Sequence, residues 1–513
     1  MRRHCLVVLL LLVAVLAVSA ALADVKLPSL VGDNMCLQQG KALNIWGWAD
    51  PLEKVTVSFC GQSVSADADS AGKWAAKLQP LKAGGPFEMT IAGKNSITLK
   101  NIVIGEVWVC SGQSNMQFGV AGVNNAAQEI AAANYPNLRL FQVPNVPAQQ
   151  PVDNVKSQWN PCTSQSVPGF TAVGYFFGRD LHKALGIPIG LINTSWGGTP
   201  AEAWATSPSM KADPEYKPLL ENWDKNVAAY PAAIEQYNTV TLDKWKKDCE
   251  AAKAAGKPLP NRPYAPQGPD SPNRPANLYN GMIAPLVNYS VAGAIWYQGE
   301  SNAGRAYQYR KLLPLMIGDW RKAWGDDFPF YIVQLANFMG RKWEPAESAW
   351  AELREAQSMT AAQPKNGQAV IIDVGDAADI HPKDKQTVGY RLSLIGLANV
   401  YGQNVEYSGP AYAGLTIAKK KVRLSFTHAA GMAPKGGKFL TGFQIAGADK
   451  KWFMASAHVK GDTVVVYSRK VAAPVAVRYG WGDNPRCNLY NAAGLPASPF
   501  RTDEWPGVTI NNH

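Results

Sequence analysis

The chain has 513 residues, more than one ordinary domain holds, and predicts two or three. A hydrophobic share of 47% with only 17% charged residues excludes disorder for the bulk of it. The formal charge is +11, or +9 once Arg2 and Arg3 are set aside. Its lysines are dispersed, and the single run Lys419-Lys420-Lys421 leads into alternating Val422, Leu424 and Phe426, which excludes the basic stripe of a nucleic-acid binder.

Residues 1–23 read as an export signal rather than as structure. Arg2-Arg3 precedes an apolar run from Leu6 to Val18, and Ala21-Leu22-Ala23 forms a small-x-small site before Asp24. Cleavage near Ala23 predicts a secreted or periplasmic mature chain. No later stretch is long and apolar enough to span a bilayer, so no membrane insertion is expected. Cys5 leaves with the signal; Cys36, Cys60, Cys110, Cys162, Cys249 and Cys487 remain, and none lies in a C-x-x-C spacing. Neither a zinc site nor a redox motif is expected, and disulfide connectivity stays open. Cys110, inside an apolar strand, reads as a buried thiol or a bridged one.

From residue 24 to about 103 the pattern is all-β, with short alternating runs at 43–48, 54–59 and 87–91 separated by turn signals such as Asp50-Pro51 and Gly84-Gly85-Pro86. The period then changes. Apolar runs at 107–110, 138–143, 187–193, 291–297, 328–335 and 369–374 alternate with helical stretches at 123–134, 173–185, 307–324, 347–362 and 386–401. Strands apolar on both faces, alternating with helices, predict an α/β fold with a covered parallel sheet. Residues 207–275 break the pattern: polar, lysine-rich and partly helical, they read as an insertion on the sheet's rim. Beyond about 406, alternating runs at 421–426, 440–445 and 463–467 announce a second β unit. The expected division is thus 24–103, 104–405 and 406–513.

Ligands of parallel sheets bind beyond the carboxyl ends of the strands, so candidate residues are sought there. Val107-Trp108-Val109-Cys110 breaks at Ser111-Gly112 and Ser114 follows at once, a placement that exposes a nucleophilic hydroxyl among turn N–H groups. The second glycine of a G-x-S-x-G elbow is missing. The second loop, Ser195-Trp196-Gly197-Gly198-Thr199, offers backbone that a ligand can approach closely. The third, Gln298-Gly299-Glu300-Ser301-Asn302, offers carboxamides for an oxyanion, with Glu300 a candidate to hold another group. The fourth is Gly375-Asp376-Ala377-Ala378-Asp379-Ile380-His381. His381 is the histidine placed at a strand-end loop beside carboxylates, where it can take a serine proton and return it to a leaving alcohol.

Taken together, Gly112-Gln113-Ser114-Asn115-Met116, Trp196-Gly197-Gly198-Thr199-Pro200 with Glu202-Ala203-Trp204, Leu278-Tyr279-Asn280-Gly281-Met282, Gln298-Gly299-Glu300-Ser301-Asn302 and Ile380-His381-Pro382 with Lys385-Gln386 resemble the sialate O-acetylesterase family. That family lies within the SGNH-type esterases and lipases. The resemblance runs over roughly the whole mature chain and is more specific for family than for substrate. It implies a flavodoxin-like three-layer parallel sheet flanked by N- and C-terminal β-sandwich-type units. It implies Ser114 as nucleophile, His381 as base, and an oxyanion hole from the Ser114 and Gly198 N–H groups plus a third-loop side chain, Gln298 or else Asn302. The acid of such enzymes usually stands three residues before the histidine, where this chain has Ala378. Asp379, Asp376 and a dyad without an acid follow in that order of preference. No cofactor or metal is implied.

The expected partner is an acetylated carbohydrate: sialic acid first, xylan or xyloglucan second. An inactive sugar-binding protein on the same scaffold is the alternative from another class, and a lipase is weaker because no apolar lid is visible. Trp196, beside the glycine pair, is the candidate to stack on a sugar ring. Trp204, Trp296 and Trp343 lie near the same loops but read more readily as core. Oligomeric state is not legible.

Overall fold

The structure, a computed structural model, describes residues 24–512. The export signal expected at residues 1–23 lies outside them, and among the described residues no helix is long and apolar enough to cross a membrane.

One strand organises the rest. Ser96–Gly112 is 17 residues long and changes character along its length. Its first half alternates exposed and covered residues and pairs antiparallel with Gly84–Ala92. From Ile102 to Gly112 every residue is buried, because sheet and helices now cover both faces. This half pairs in parallel with Ile189–Ser195 on one side and Gly293–Tyr297 on the other. The boundary expected at residue 103 therefore falls inside an unbroken strand, and the N-terminal strands share one apolar core, running from Val25 to Leu397, with the parallel sheet.

Across the parallel sheet the order is Asn366–Ala369, Phe330–Val333, Gly293–Tyr297, Ser96–Gly112, Ile189–Ser195, Tyr135–Gln142, with Trp159–Cys162 antiparallel at the far edge. Without the outlying Tyr135–Gln142 strand, the five remaining parallel strands read 2-1-3-4-5 in chain order, the flavodoxin-like arrangement. The chain's direction of travel reverses at Ser96–Gly112, so the crevice of the sheet opens where that strand ends. Helices cover both faces. Trp108 meets Phe177 of the helix Ala172–Leu185, which packs on Lys385–Asn399. Trp296, in register with Ser111, projects to the opposite face and packs against Trp320 of Ala306–Trp324.

Two further expectations need correction. The helix expected at 123–134 is only Ala126–Ala131. The strand expected at 369–374 is Asn366–Ala369, and Val370–Ile372 leave the sheet while staying buried. The ladder's bond at this point is Gln334 N–H to the Ala369 carbonyl at 3.0 Å, and beyond it Arg391 takes the Val370 carbonyl at 2.7 Å and pairs with both oxygens of Asp373, anchoring the departing segment. The insertion forms Ser207–Ala212, Lys217–Gln236 and Leu242–Ala254, and neither long helix buries a residue. The C-terminal strands, including Lys421–Thr427, Phe443–Gly447, Thr463–Tyr467 and Pro474–Tyr479, enclose a separate core from Val422 to Ala497.

Candidate active site

Ser114 begins the short helix Ser114–Gln117 immediately beyond the central strand. The turn depends on Gly112, at φ +138°, where a Cβ would overlap the Tyr297 carbonyl of the neighbouring strand. In this turn the Met116 and Gln117 N–H groups both go to the Gln113 carbonyl at 2.9 Å. The Ser114 hydroxyl meets His381 Nε2 at 2.8 Å.

His381 reaches that position from far away. The Asn366–Ala369 strand stands three places from Ser96–Gly112 in the sheet, about 14 Å at ordinary strand spacing. Residues 370–384 cross back over the ends of the intervening strands, and Asn337 Oδ1 catches this segment at the Gly375 N–H, 2.8 Å away. The imidazole lies 6.4 Å from the Phe118 ring and nearly parallel to it, and about a third of the side chain (35%) stays open to solvent.

Of the two candidate acids, Asp379 faces the histidine. Its Oδ1 accepts the His381 backbone N–H at 2.8 Å and lies 3.4 Å from Nδ1. The backbone N–H holds its carboxyl below the usual carboxylate range. Asp376 instead accepts the Ala378 N–H and closes its own turn.

The second loop packs directly on Ser114. A Cβ on Gly197 would stand 3.2 Å from Ser114 Cβ, and the Gly197 N–H is donated to Gln117 Oε1 at 2.9 Å. Gly198, at φ +76°, has open space beside its Cα. Trp196 is half-buried and packs on the main core, while Trp204 and Trp296 are wholly buried and meet edge to face. Trp343 is exposed.

The third loop differs from expectation. Gln298 is fully buried and spends both amide hydrogens, on Thr199 O at 3.2 Å and Asn302 Oδ1 at 2.6 Å, while Tyr309 donates to its Oε1. No hydrogen is left for an oxyanion. Asn302 accepts the Ala201 N–H and donates to Glu202, which is ion-paired with Arg305. Both carboxamides brace the segment that follows Gly198. Glu300 does hold another group, since its Oε1 receives Asn115 Nδ2 at 2.6 Å.

Four residues without a role in the sequence reading also shape the site. Gln113 accepts the Gly299 and Ser301 N–H groups, tying the Ser114 turn to the third loop. Phe118 flanks the imidazole, and Asn115 and Lys385 lie beneath it. For Lys385 a signal existed: a cation in the first turn of a helix opposes the helix dipole and needs another reason to be there.

With this geometry in view, comparison with known proteins decides the family. The model of the sialic acid-specific acetylesterases, a carbohydrate esterase family, matches residues 104–238 and 264–386. The chain belongs to that family. It is therefore an esterase. Sialate O-acetylesterase of Mus musculus is 30% identical, over 96% of this chain and 97% of its own. That of Homo sapiens is 31% identical over 94% of each. The crystal structure of a carbohydrate acetylesterase from Xanthomonas citri superposes with a TM-score of 0.80 at 37% identity, covering 94% of this chain and all of that one (100%). All six cysteines among the described residues are free thiols, and burial pushes the Cys110 thiol well up, out of reactive range.

Proposed function

We propose that this esterase is an exported carbohydrate O-acetylesterase that works through an acetyl-serine at Ser114. The observation that carries the reading is the 2.8 Å contact between Ser114 Oγ and His381 Nε2, at the point where the chain's travel through the sheet reverses. Ser114 Oγ attacks the acetyl carbonyl carbon as its proton passes to Nε2. The oxyanion accepts the Ser114 and Gly198 N–H groups. The carbon–oxygen bond to the sugar then breaks, and Nε2–H protonates the departing sugar oxygen. Water attacks the acetyl-serine with His381 again as base, and acetate leaves. Asp379 orients the imidazole through Nδ1, while Gln298 and Asn302 act as braces for the glycine loop.

We read the scaffold as SGNH-type, organised as a β unit at 24–103, an esterase unit at 104–405 and a second β unit at 406–513. The flavodoxin-like strand order supports the scaffold, and the separate C-terminal core supports the division near 405, whereas the N-terminal β unit is built onto the esterase unit's own core. Export rests on the charge and hydropathy pattern of residues 1–23. The openness of the His381 side suits an acetyl group carried on a large glycan, and Trp196 is the surface proposed to stack on its ring.

O-acetylated sialic acid is the first substrate to test, because the mammalian relatives bear that name. Acetylated xylan and xyloglucan come second. Acetate release from 9-O-acetylated sialic acid and both polysaccharides should be compared for wild type and Ser114→Ala. Release from sialic acid alone, abolished in the variant, supports the first substrate; release only from plant glycans keeps the mechanism and replaces the sugar. No acetate from any ester, a small activated one included, leaves only a sugar-binding scaffold.

A further inference from the structure

Ser114 and His381 stand 267 residues apart in the chain, and their contact is only as good as the fastening beneath it. That fastening is a buried polar chain. Asn115 Nδ2 donates to the Ile380 carbonyl at 3.0 Å and to Glu300 Oε1 at 2.6 Å; Asn115 Oδ1 accepts from Lys385 Nζ at 2.5 Å. One amide thus joins the residue after the nucleophile to the residue before the base. Its orientation is settled by its partners, for a flipped amide would set its oxygen against a carbonyl and a carboxylate and its N–H₂ against an ammonium. Lys385 is wholly buried, with Nζ 5.1 Å from the centroids of the Phe118 and Tyr297 rings. Glu300 Oε2 is buried without a partner.

A buried cation and a half-satisfied carboxylate are costly, and the sheet and helices here are stable architectures without them. We propose that Lys385, acting through Asn115 with Glu300 as counter-ion, is a positioning residue that clamps the His381 loop onto the Ser114 turn. The inference rests on the reading of Ser114 and His381 as the reacting pair. The clamp is strongest as a charge-assisted hydrogen bond, so it depends on the protonation of Lys385. The groups around Nζ are Glu300 from the third loop, Asp379 and His381 from the loop above, Asp384 at the helix cap, and Tyr297 from the sheet. Burial pushes the ammonium down to about 7 and the Glu300 carboxyl up. Lys385 is therefore charged below that pH and neutral above it: the clamp is intact on the acid side and weakens as pH rises through about 7.

The test is hydrolysis of p-nitrophenyl acetate by wild type and Lys385→Met at a series of pH values on both sides of neutrality. Wild type should show a falling alkaline limb in kcat that the variant lacks. The variant's kcat should drop about 10- to 100-fold with KM nearly unchanged, the loss expected when a base is displaced by a fraction of an ångström to an ångström. An unchanged kcat, a KM that rises in step, or a limb that survives overturns the proposal. If Lys385→Met does not fold, Lys385→Arg keeps a charge at every pH and should push the limb to higher pH; an unmoved limb overturns the proposal. A wild type with no esterase activity would refute the reacting pair, not the clamp. The clamp is then read from the side-chain amide of Asn115 by NMR, whose shift should follow an ionisation near 7 that is lost in Lys385→Met and kept in His381→Ala; its absence in wild type overturns the inference.

Discussion

In the proposed mechanism Asp379 is a weak third member of the catalytic group. In a buried triad the acid is enclosed, whereas here the carboxylate is nearly half exposed (48%) and lies 3.4 Å from Nδ1. Solvent screens it, and its firmer bond goes to the His381 backbone N–H. Asp379→Asn should therefore lower kcat about 10-fold, far less than the roughly 10⁴-fold effect of the same change in a buried triad. Asp376→Ala should change it less than about 2-fold, because Asp376 closes its own turn and leaves the imidazole alone. Steady-state kinetics on a small acetyl ester measures both; equal losses would mean that the two carboxylates share the role. The meeting of Ser114 and His381 was legible because each follows an apolar run of the sheet. Gln298 misled for a reason no sequence displays. A carboxamide in a strand-end loop looks like a free donor until burial and a neighbouring Tyr309 and Asn302 consume its hydrogens. Asn115 was hidden by chemistry that depends on a partner 270 residues away.

The parallel strands and the long helices were legible as elements, since apolar runs and a 3.6-residue period write both plainly. What failed were the ends fixed by side chains from elsewhere, as where Arg391 holds the chain that leaves the sheet beyond Ala369. The contact between the helices Ala172–Leu185 and Lys385–Asn399 makes a sharper test of element-level packing. A Cβ on Gly389 would meet Phe176 Cβ at 2.5 Å and the Phe177 backbone nitrogen at 2.7 Å. Alanine gains about 1 kcal/mol of helix propensity over glycine, but overpacking against backbone costs about 1–3 kcal/mol. Backbone yields less readily than a side chain, so the cost prevails and Gly389→Ala should destabilise the protein by about 1–2 kcal/mol in urea unfolding. A stabilised variant would show that the two helices can move apart without loss. Because Lys385 opens one of these helices, the same variant should also lower kcat.

At the scale of the whole molecule, two cores must act as one support for the His381 loop. The C-terminal unit reaches that loop twice, through Tyr490 donating to Asp373 at 3.0 Å and through Asn484 meeting Asn337, which in turn holds Gly375. The most deeply buried joint between the cores is Arg354, beside pairs such as Arg478–Glu347 and Arg501–Glu355. It is fully buried on the helix Ala349–Ala361 and donates to Leu335 O, Ala336 O, Gly482 O and Asp483 O at 2.7–2.9 Å, two carbonyls on each side of the seam. Burial pushes its guanidinium down to about 10, which leaves it charged at neutral pH. Methionine fills much of the same volume but satisfies none of the four carbonyls. Arg354→Met should cost about 3–5 kcal/mol, the loss typical of stripping one partner from a buried charged network. That loss falls on the seam rather than within either core, so calorimetry should show the variant melting in two steps, the C-terminal unit first, where wild type melts in one. Esterase activity should then vanish with the first step, because the His381 loop loses both of its outer supports before the parallel sheet unfolds. Activity that persists to the second step would mean that the Asn115 chain alone suffices to hold the catalytic pair.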